Sequence, residues 1–189
     1  MYDLAWHDEG VDDRALVDAV LDGDRDAFEI VVERESAAVF RVCLRILGRP
    51  RDAEDATQET LVTAFRSLGT YRGDGSLHAW LMRIATRHAF RKVSQRRPTA
   101  PLDEVGEPIL ADPGSDPARL ALAAERNAGI RGAVSSLPER YREVVALRFF
   151  GEMTLSEIAD VTGRPVNTVK THLRRGLEAL RPAVEEPAR

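Results

Sequence analysis

Apolar residues recur three and four positions apart along most of the chain, which is the spacing of one face of an α-helix. In the first half this pattern predicts four helices, over about residues 16–21, 24–47, 50–68 and 76–97. Gly48 is placed to end the second helix, and Pro50 suits the first turn of the third, where its missing N–H would be unpaired anyway. Helical spacing resumes from Arg119 and continues to Leu180. The pattern therefore predicts an all-α fold.

Proline and acidic residues interrupt the helical pattern near the middle of the chain. Half of the ten prolines lie between residues 98 and 117. Because proline removes helical hydrogen bonds, we expect a flexible, acidic, proline-rich linker here, joining two small helical domains. The predicted limits are an N-terminal tail at 1–13, a first domain at 14–97, the linker at 98–118, a second domain at 119–182 and a C-terminal tail at 183–189. Since domains this small bury only a modest fraction of their surface, we expect them to move relative to one another until a partner holds them.

A helix-turn-helix pattern is the most informative feature of the second half. Thr154 and Glu157 have the spacing of a capping box at the start of a short helix, and Gly163 suits the turn that follows. Pro165 then fits the first turn of a second helix. An apolar stripe for packing runs along one side of this second helix, through Val166, Val169, Leu173, Leu177 and Leu180.

The opposite side of the second helix is basic and rich in hydrogen-bonding groups. With Arg164 from the turn, its polar residues are Asn167, Thr168, Lys170, Thr171, His172, Arg174 and Arg175. A helix with such side chains fits the DNA major groove, where amide, hydroxyl and guanidinium groups meet base edges and phosphates. The alternative is a helical hairpin whose basic face is only solvated. The cap, the turn glycine and the basic helix together favour DNA binding.

The charges are segregated along the chain, although the formal net charge is only −4. Residues 66–97 contain eight Arg or Lys residues against a single acid, Asp74. Arg83, Arg87 and Arg91 follow one another at four-residue steps, so they form a ridge that can follow a phosphate backbone. Separate charged blocks indicate separate surfaces with different partners.

Several classes of function are excluded by the sequence. No apolar run approaches the roughly 20 residues that span a bilayer, and the acidic N-terminus lacks a signal-peptide core, which indicates a cytosolic protein without membrane insertion. Cys43 is the only cysteine, so no internal disulfide is possible. His78 and His88 lack clustered carboxylates or cysteines, so we expect no metal site. Because phosphate-loop, metalloprotease and nucleophile-elbow motifs are also missing, we expect neither catalysis nor a cofactor.

Several ordered motifs resemble one bacterial family. They are an acidic helix DAEDATQET (52–60), a glycine loop before SLHAWLMRIA (76–85), the acidic proline-rich linker, and LPERYREVVALRFFGEMTLSEIADVTGRPVNTVKTHLRRGLEALR (137–181). In this order they resemble a sigma factor of the compact extracytoplasmic-function (ECF) group, over almost the whole chain from Leu16 to Arg181. The resemblance implies a promoter-specificity subunit of RNA polymerase.

The resemblance implies three binding surfaces. Core polymerase would contact Asp52, Glu54, Asp55, Gln58 and Glu59, although a solvated acidic face is the alternative. The minus-ten element would be bound and melted by Tyr71, Arg72, Gly73, Ser76, His78, Arg83, Arg87 and Arg91, while helical spacing favours Trp80 as a core residue. The minus-thirty-five element would lie against the basic face of the helix-turn-helix. Compact members of the family are usually held inactive by an anti-sigma factor, so such a partner is expected here.

Two points stay open at this level. Relatives often have Asn near position 87 and Asp near position 91, whereas this chain has Arg87 and Arg91, so a preferred minus-ten sequence does not transfer. The rival interpretation is a stand-alone helix-turn-helix regulator that binds duplex DNA without polymerase. A sigma factor would bind promoter DNA poorly until polymerase fixes the geometry of its two weak sites.

Overall fold

The protein is helical throughout the part of the chain that the computed structural model describes, residues 12–95, 129–130 and 132–185. Seven helices lie in these ranges: α1 Asp13–Leu21, α2 Arg25–Leu47, α3 Pro50–Ser67, α4 Leu77–Gln95, α5 Glu139–Phe149, α6 Leu155–Thr162 and α7 Val166–Glu185. A 3₁₀ turn at Leu68–Thr70 follows α3, and residues 129–130 and 132–136 are also helical. The all-α prediction is confirmed. The predicted linker at 98–118 lies outside the described residues, so the domain limits stay predictions.

The helix ends follow the local signals in the sequence. The Asp24 side chain accepts hydrogen bonds from the backbone N–H groups of Asp26 and Ala27 at the start of α2. Gly48 ends that helix with a φ of 74°, in the left-handed region that glycine adopts at low cost. Pro50 is the first residue of α3, as its position after Gly48 predicts. Local chemistry therefore fixes where these helices begin and end.

The first helical module consists of α1 to α4. The long helix α2 lies against both α3 and α4, and α1 packs on the outer part of α2. One apolar cluster around Val31, Leu68, Leu77 and Leu81 joins all four helices at this end of the module. The second module consists of α5 to α7, in which α7 packs along α5, and Val145 and Leu180 are buried between them.

The largest apolar cluster belongs to both modules. Val42 from α2 and Met82 from α4 are fully buried in the same cluster as Leu147 from α5 and Ile158 from α6. This differs from the expectation of two separate cores. The physical reason is that α2 and α4 each have more apolar surface than one small module can cover, so the second module covers the remainder.

Polar contacts strengthen the junction between the modules. The Arg142 guanidinium on α5 donates to the carbonyl of Ile46, in the last turn of α2, at 3.0 Å. Arg41 on α2 donates to the Phe150 carbonyl at 3.4 Å and pairs with Glu152 at 3.3 Å. Gly151 lies between Phe150 and Glu152. A Cβ on Gly151 would lie 2.9 Å from the Leu147 carbonyl oxygen and 3.2 Å from a methyl group of Val42. The loop after α5 therefore approaches α2 at a distance that only glycine permits.

The last helix differs from its prediction in two respects. Leu177 was expected in the packing stripe of α7, but 42% of its surface is exposed, whereas Val169 and Leu180 are buried. The reason is that the buried face of α7 runs through Val169, Gly176 and Leu180, so Leu177 lies at the edge of that face. The helix also continues through Pro182 to Glu185, beyond the predicted start of a C-terminal tail at residue 183.

We predict that Gly176→Ala lowers the stability of the protein. A Cβ at this position of α7 would lie 2.8 Å from a Cγ of Val145, a branched side chain that is buried and cannot move aside. Overpacking of this kind costs about 1–3 kcal/mol of unfolding free energy, which urea denaturation measures. Gly132→Ala is the matched control, because it is helical with no atom within 4 Å of the new Cβ. The control should gain about 0.5–1 kcal/mol, and an equal effect of both substitutions would contradict the packing explanation.

Candidate nucleic-acid interface

The helix-turn-helix is built by the local signals that predict it. The Thr154 hydroxyl accepts from the Glu157 N–H at 3.2 Å, and the Glu157 carboxylate accepts from the Thr154 N–H at 2.8 Å, which completes the capping box. Gly163 ends α6 with a φ of 66°. The chain then turns through Pro165 into α7. This turn fixes the angle at which α7 is presented.

The basic face of α7 is open to solvent. Asn167, Lys170, Arg174 and Arg175 are exposed, while Thr168, Thr171 and His172 are half-buried beside them. Burial of Val169 against α5 and α6 sets this orientation. The exposed groups supply amide, ammonium and guanidinium donors along one side of a helix, which is the arrangement that contacts base edges and phosphates in a major groove.

Three of the predicted residues also have partners within the second module. Arg164 forms an ion pair with Glu143 on α5, which ties the turn to the module. Arg174 pairs with Glu178 at 2.6 Å, one helical turn further along. The Arg175 guanidinium lies 3.4 Å from the Tyr141 hydroxyl. The pairs of Arg174 and Arg175 are at the surface, where such interactions are weak and exchange readily for a phosphate.

His172 lies with its ring edge-on to Tyr141, at 5.5 Å between ring centroids. Desolvation and the positive charges of Arg164, Arg140 and Arg175 lower the pKa of His172. Because the lowered pKa favours the neutral ring, the positive charge on this face comes from lysine and arginine at neutral pH.

A second basic surface lies on α4. The side chains of Arg83, Arg87 and Arg91 are exposed and follow one another along one side of the helix, as the four-residue spacing predicts. Arg91 pairs with Glu59 at 3.0 Å, and Arg83 donates to the carbonyl of Asp160 at 2.7 Å. The ridge therefore starts at the second module and continues along the first.

A cleft of about 540 Å³ lies beside the start of this ridge. Tyr71 and Trp80 face it with their rings in an edge-to-face arrangement, 6.0 Å between centroids. The Tyr71 hydroxyl donates to the Gly75 carbonyl at 2.6 Å and holds the glycine loop in place, while Gly73 has a φ of 77°. Trp80, for which helical spacing favours a core position, is only half-buried. Aromatic rings in a cleft of this kind suit stacking with a nucleobase.

The second module forms the opposite wall of the cleft. Glu157, Asp160 and Val161 of α6 line it. The Ser76 hydroxyl donates to the Glu157 carboxylate at 3.3 Å, and it also accepts from the Ala79 N–H at 3.1 Å and so caps the start of α4. In this arrangement the first helix of the helix-turn-helix closes one side of the cleft, and Ser76 and Arg83 are occupied by contacts within the chain.

His78 lies between the modules, away from the face formed by the arginine ridge. Its Nδ1 is 2.6 Å from a carboxylate oxygen of Glu35 on α2, and its Nε2 is 2.7 Å from the Gly151 carbonyl oxygen. Desolvation lowers the pKa of His78, but the hydrogen bond and charge of Glu35 and the Gly151 carbonyl outweigh it, so the pKa is raised. The structure therefore places His78 at the junction between the modules, whereas the family resemblance implies a place among the DNA-contacting residues.

The acidic helix α3 is partly neutralised by α4. Glu59 contacts Lys92 at 3.0 Å, Arg91 at 3.0 Å and His88 at 3.2 Å, and the hydrogen bond from Lys92 lowers its pKa despite some desolvation. Lys92 also lies 3.7 Å from Asp55. The other predicted polymerase-contacting residues are Asp52, which is half-buried, and Glu54 and Gln58, which are exposed. Glu54, Asp55 and Gln58 thus form the outward part of this surface.

Two functional positions were missed at the level of sequence. Glu35 is 4% exposed, and its second carboxylate oxygen accepts from Arg34 at 2.8 Å. The signal for it was present, because Glu35 lies four residues from both Val31 and Val39 on the apolar stripe of α2. Asp13 lies in the predicted N-terminal tail, yet its carboxylate accepts from the Leu77 N–H at 2.6 Å and so caps α4. No signal in the sequence indicates that long-range contact.

Within the ranges that the structure describes, no helix is both long and apolar enough to cross a membrane. Over the same ranges no group of three or more His, Cys, Asp or Glu side chains is arranged to bind a metal ion.

Comparison with known proteins connects these surfaces to one family. The chain matches Sigma-70 region 2 over residues 31–99 and Sigma-70 region 4 over residues 128–180. It is 33% identical to the ECF RNA polymerase sigma factor SigW of Bacillus subtilis, over 84% of this chain and 89% of SigW. Its fold is similar to that of CnrH in complex with the cytosolic domain of CnrY, with a TM-score of 0.67 and 27% identity over 92% of this chain and 97% of CnrH.

A more distant structure shares the fold alone. The sigma factor RpoE of Bartonella quintana, solved in complex with the anti-sigma factor NepR, is 18% identical and has a TM-score of 0.64, over 85% of this chain and 98% of RpoE. Sigma-70 region 2 corresponds to the first module and Sigma-70 region 4 to the second, and each module has one of the two exposed basic helices, α4 and α7. The level and extent of identity to SigW show that the chain belongs to the ECF sigma factors of bacterial RNA polymerase.

Proposed function

We propose that this chain binds core RNA polymerase and directs it to promoters, with the second module on the minus-thirty-five element and the first on the minus-ten element. The observation that supports this proposal most is the presence of two exposed basic helices, α4 and α7, on different modules of one chain. Two weak sites joined by a linker gain affinity only when their separation is fixed. A polymerase that holds both modules supplies that condition.

The helix α7 is proposed to lie in the major groove of the minus-thirty-five element. Its base-contacting candidates are the exposed Asn167 and Lys170 near its start, since the early residues of such a helix point into the groove. Arg174 and Arg175, one turn later, suit contacts with phosphates. Arg164, Thr168, Thr171 and His172 support these contacts from the half-buried edge of the face.

The ridge and cleft of the first module are proposed to bind and melt the minus-ten element. Arg83, Arg87 and Arg91 follow the backbone, and the cleft near Tyr71, Arg72, Gly73 and Ser76 accepts a base lifted from the stack. Base flipping costs a few kcal/mol, which stacking on an aromatic ring recovers in part. His78 would contribute to this surface only after the modules separate, because both its ring nitrogens are engaged in the closed arrangement.

The exposed part of α3 is proposed as the surface for core polymerase. Glu54, Asp55 and Gln58 point outward and can meet basic groups of a partner, where complementary charge governs specificity and the rate of association. Glu59 contributes less directly, since three side chains of α4 already surround it. Its main effect would be to hold α3 and α4 in register.

Regulation by an anti-sigma factor is the second part of the proposal. RpoE was solved with an anti-sigma factor and CnrH with the cytosolic domain of CnrY, and both structures resemble this chain in fold. In the present structure α6 covers the cleft of the first module, which is an arrangement that a protein partner could stabilise. We propose that the protein acts in the cytoplasm and has no catalytic activity of its own.

Run-off transcription tests the proposed function directly. Purified core polymerase with this protein, on a library of genomic promoters, should yield transcripts that neither component gives alone. The isolated chain should bind the same promoters weakly, with affinity that falls steeply with salt. Tight binding to duplex DNA without polymerase, together with no transcripts, would instead identify a stand-alone helix-turn-helix regulator.

We predict that reversing Lys170 and Arg174 to Glu abolishes promoter-dependent transcription. Both side chains are exposed on α7, and the loss of two favourable contacts, each about 1–3 kcal/mol, corresponds to at least about a thirtyfold loss of promoter affinity. Run-off yield is the measurement. Arg25→Glu with Arg66→Glu is the charge-matched control, since both side chains are exposed on the first module away from α7 and should leave the yield unchanged.

We predict that Glu54→Lys with Asp55→Lys removes binding to core polymerase while the fold is kept. These side chains are exposed; Asp55→Lys gives up the 3.7 Å contact with Lys92, but neither partner of the 3.0 Å contact between Lys92 and Glu59 is substituted. Co-sedimentation with core polymerase measures binding, and circular dichroism checks the fold. The control is Glu29→Lys with Glu33→Lys, an equal change of charge on exposed positions of α2. Retained polymerase binding by the α3 variant, or an equal loss in the control, would count against this surface.

A further inference from the structure

We propose that His78 is a protonation-dependent latch, which holds the two modules closed over the cleft when its ring is charged and releases them when it is neutral. The latch consists of His78, Glu35 and the Gly151 carbonyl. Its effect on promoter binding rests on the proposed function, whereas its effect on the distance between the modules does not.

The geometry of the latch requires two donors on one imidazole ring. Nδ1 faces a carboxylate oxygen of Glu35 at 2.6 Å, and Nε2 faces a carbonyl oxygen at 2.7 Å. A carbonyl oxygen only accepts, and Arg34 donates to the other Glu35 oxygen at 2.8 Å, which favours the ionised carboxylate. Only the doubly protonated ring donates to both acceptors.

Loss of the ring proton makes the closed arrangement unfavourable. A neutral ring that keeps its proton on Nδ1 for Glu35 turns the bare lone pair of Nε2 toward the Gly151 oxygen, so attraction becomes repulsion. A buried acceptor left without a donor is costly. Glu35 and His78 both belong to the first module, so their pair survives when the modules part. Of the two hydrogen bonds of the ring, only the one to Gly151 is broken when the modules part, which makes it the contact that depends on the proton.

Charged groups from every neighbouring element act on the ring in the same direction or are already neutralised. On α2, the Glu35 carboxylate faces the ring, and Arg34 forms an ion pair with Glu35. On α1, Asp13 forms an ion pair with Arg34 at 2.7 Å. On α6, the Glu157 carboxylate adds a negative charge that raises the pKa of His78, after the larger effects of desolvation, Glu35 and Gly151. On the loop after α5, Glu152 is paired with Arg41. Closing the modules brings the Gly151 carbonyl and Glu157 to the ring, so closure itself raises the proton affinity of His78.

The direction of the pH dependence follows from this linkage. The pKa of His78 is raised above its ordinary value of 6.5, and the Gly151 carbonyl and Glu157 contribute to that rise only while the modules are closed, so the latch is favoured at low pH and is lost as the pH rises through the raised pKa. Desolvation raises the pKa of Glu35, but His78 and Arg34 outweigh desolvation and lower that pKa below its ordinary value of 4.5. Glu35 therefore stays ionised in mildly acidic solution. The latch is therefore strongest in mildly acidic to neutral solution, and alkalinisation uncovers the cleft.

Single-molecule fluorescence transfer in the free, full-length chain tests the latch. Dyes are attached through Arg66→Cys on α3 and Ala179→Cys on α7, both exposed. Cys43 is fully buried and burial raises its pKa to about 12, so it does not react with the dyes. The fraction of open, low-transfer molecules should be lowest in mildly acidic solution and should rise as the pH increases above 6.5, with an open-to-closed ratio that changes by at most about tenfold per pH unit for one proton.

Two sets of variants assign the transition to His78. Replacing the other three histidines by glutamine (His7, which lies outside the described residues, His88 and His172) should leave the transition in place. His78→Gln should remove it, because the amide does not titrate in this range. An unchanged open fraction in the wild-type chain, a transition lost from the triple variant, or one retained in a folded His78→Gln variant would each overturn the proposal. If His78→Gln fails to fold, the first two outcomes alone decide it.

This experiment contains neither DNA nor polymerase. A chain that fails in run-off transcription but shows the transition would overturn the proposed function and keep the latch. A chain that supports transcription but shows no transition would overturn the latch and keep the proposed function.

Discussion

The burial of α2 against two modules at once is the interaction on which the rest of the structure depends. Its apolar residues face α3 and α4 on one side and the loop after α5 on the other, and Val42 is fully buried in the cluster they share. Neither module covers this surface alone. Transfer of apolar area from water is therefore what sets the two basic helices at a defined separation in the free protein.

The same contact places functional groups in competition with one another. Arg83 and Ser76 belong to the proposed promoter surface, yet in the closed arrangement both side chains are hydrogen-bonded to α6. Surface hydrogen bonds of this type contribute only about 1 kcal/mol each, so a ligand with several phosphates can replace them. The apolar part of the junction is harder to break. Loss of the His78 proton removes one of the polar contacts at this junction and shifts the balance toward opening, and a partner that covers the exposed apolar surface shifts it further.

Local features of the fold were predictable from the sequence, and long-range features were not. The cap at Thr154 and the turns at Gly48 and Gly163 depend on residues within one helical turn, so spacing alone identified them. The exposed face of α7 followed from the position of Val169. The position of His78 depends on Glu35 and Gly151, which are distant in sequence, and no periodicity indicates such a meeting. The roles of the individual site residues remain predictions.

The contact between Asp13 and the start of α4 links the beginning of the chain to the cleft. Asp13 accepts from the first backbone N–H of α4 and also pairs with Arg34, the neighbour of Glu35. The glycine loop and Tyr71 lie directly before that helix start. Removing the chain through Asp13 would therefore free the start of α4, and with it one wall of the cleft, although Asp13 itself does not line the cleft.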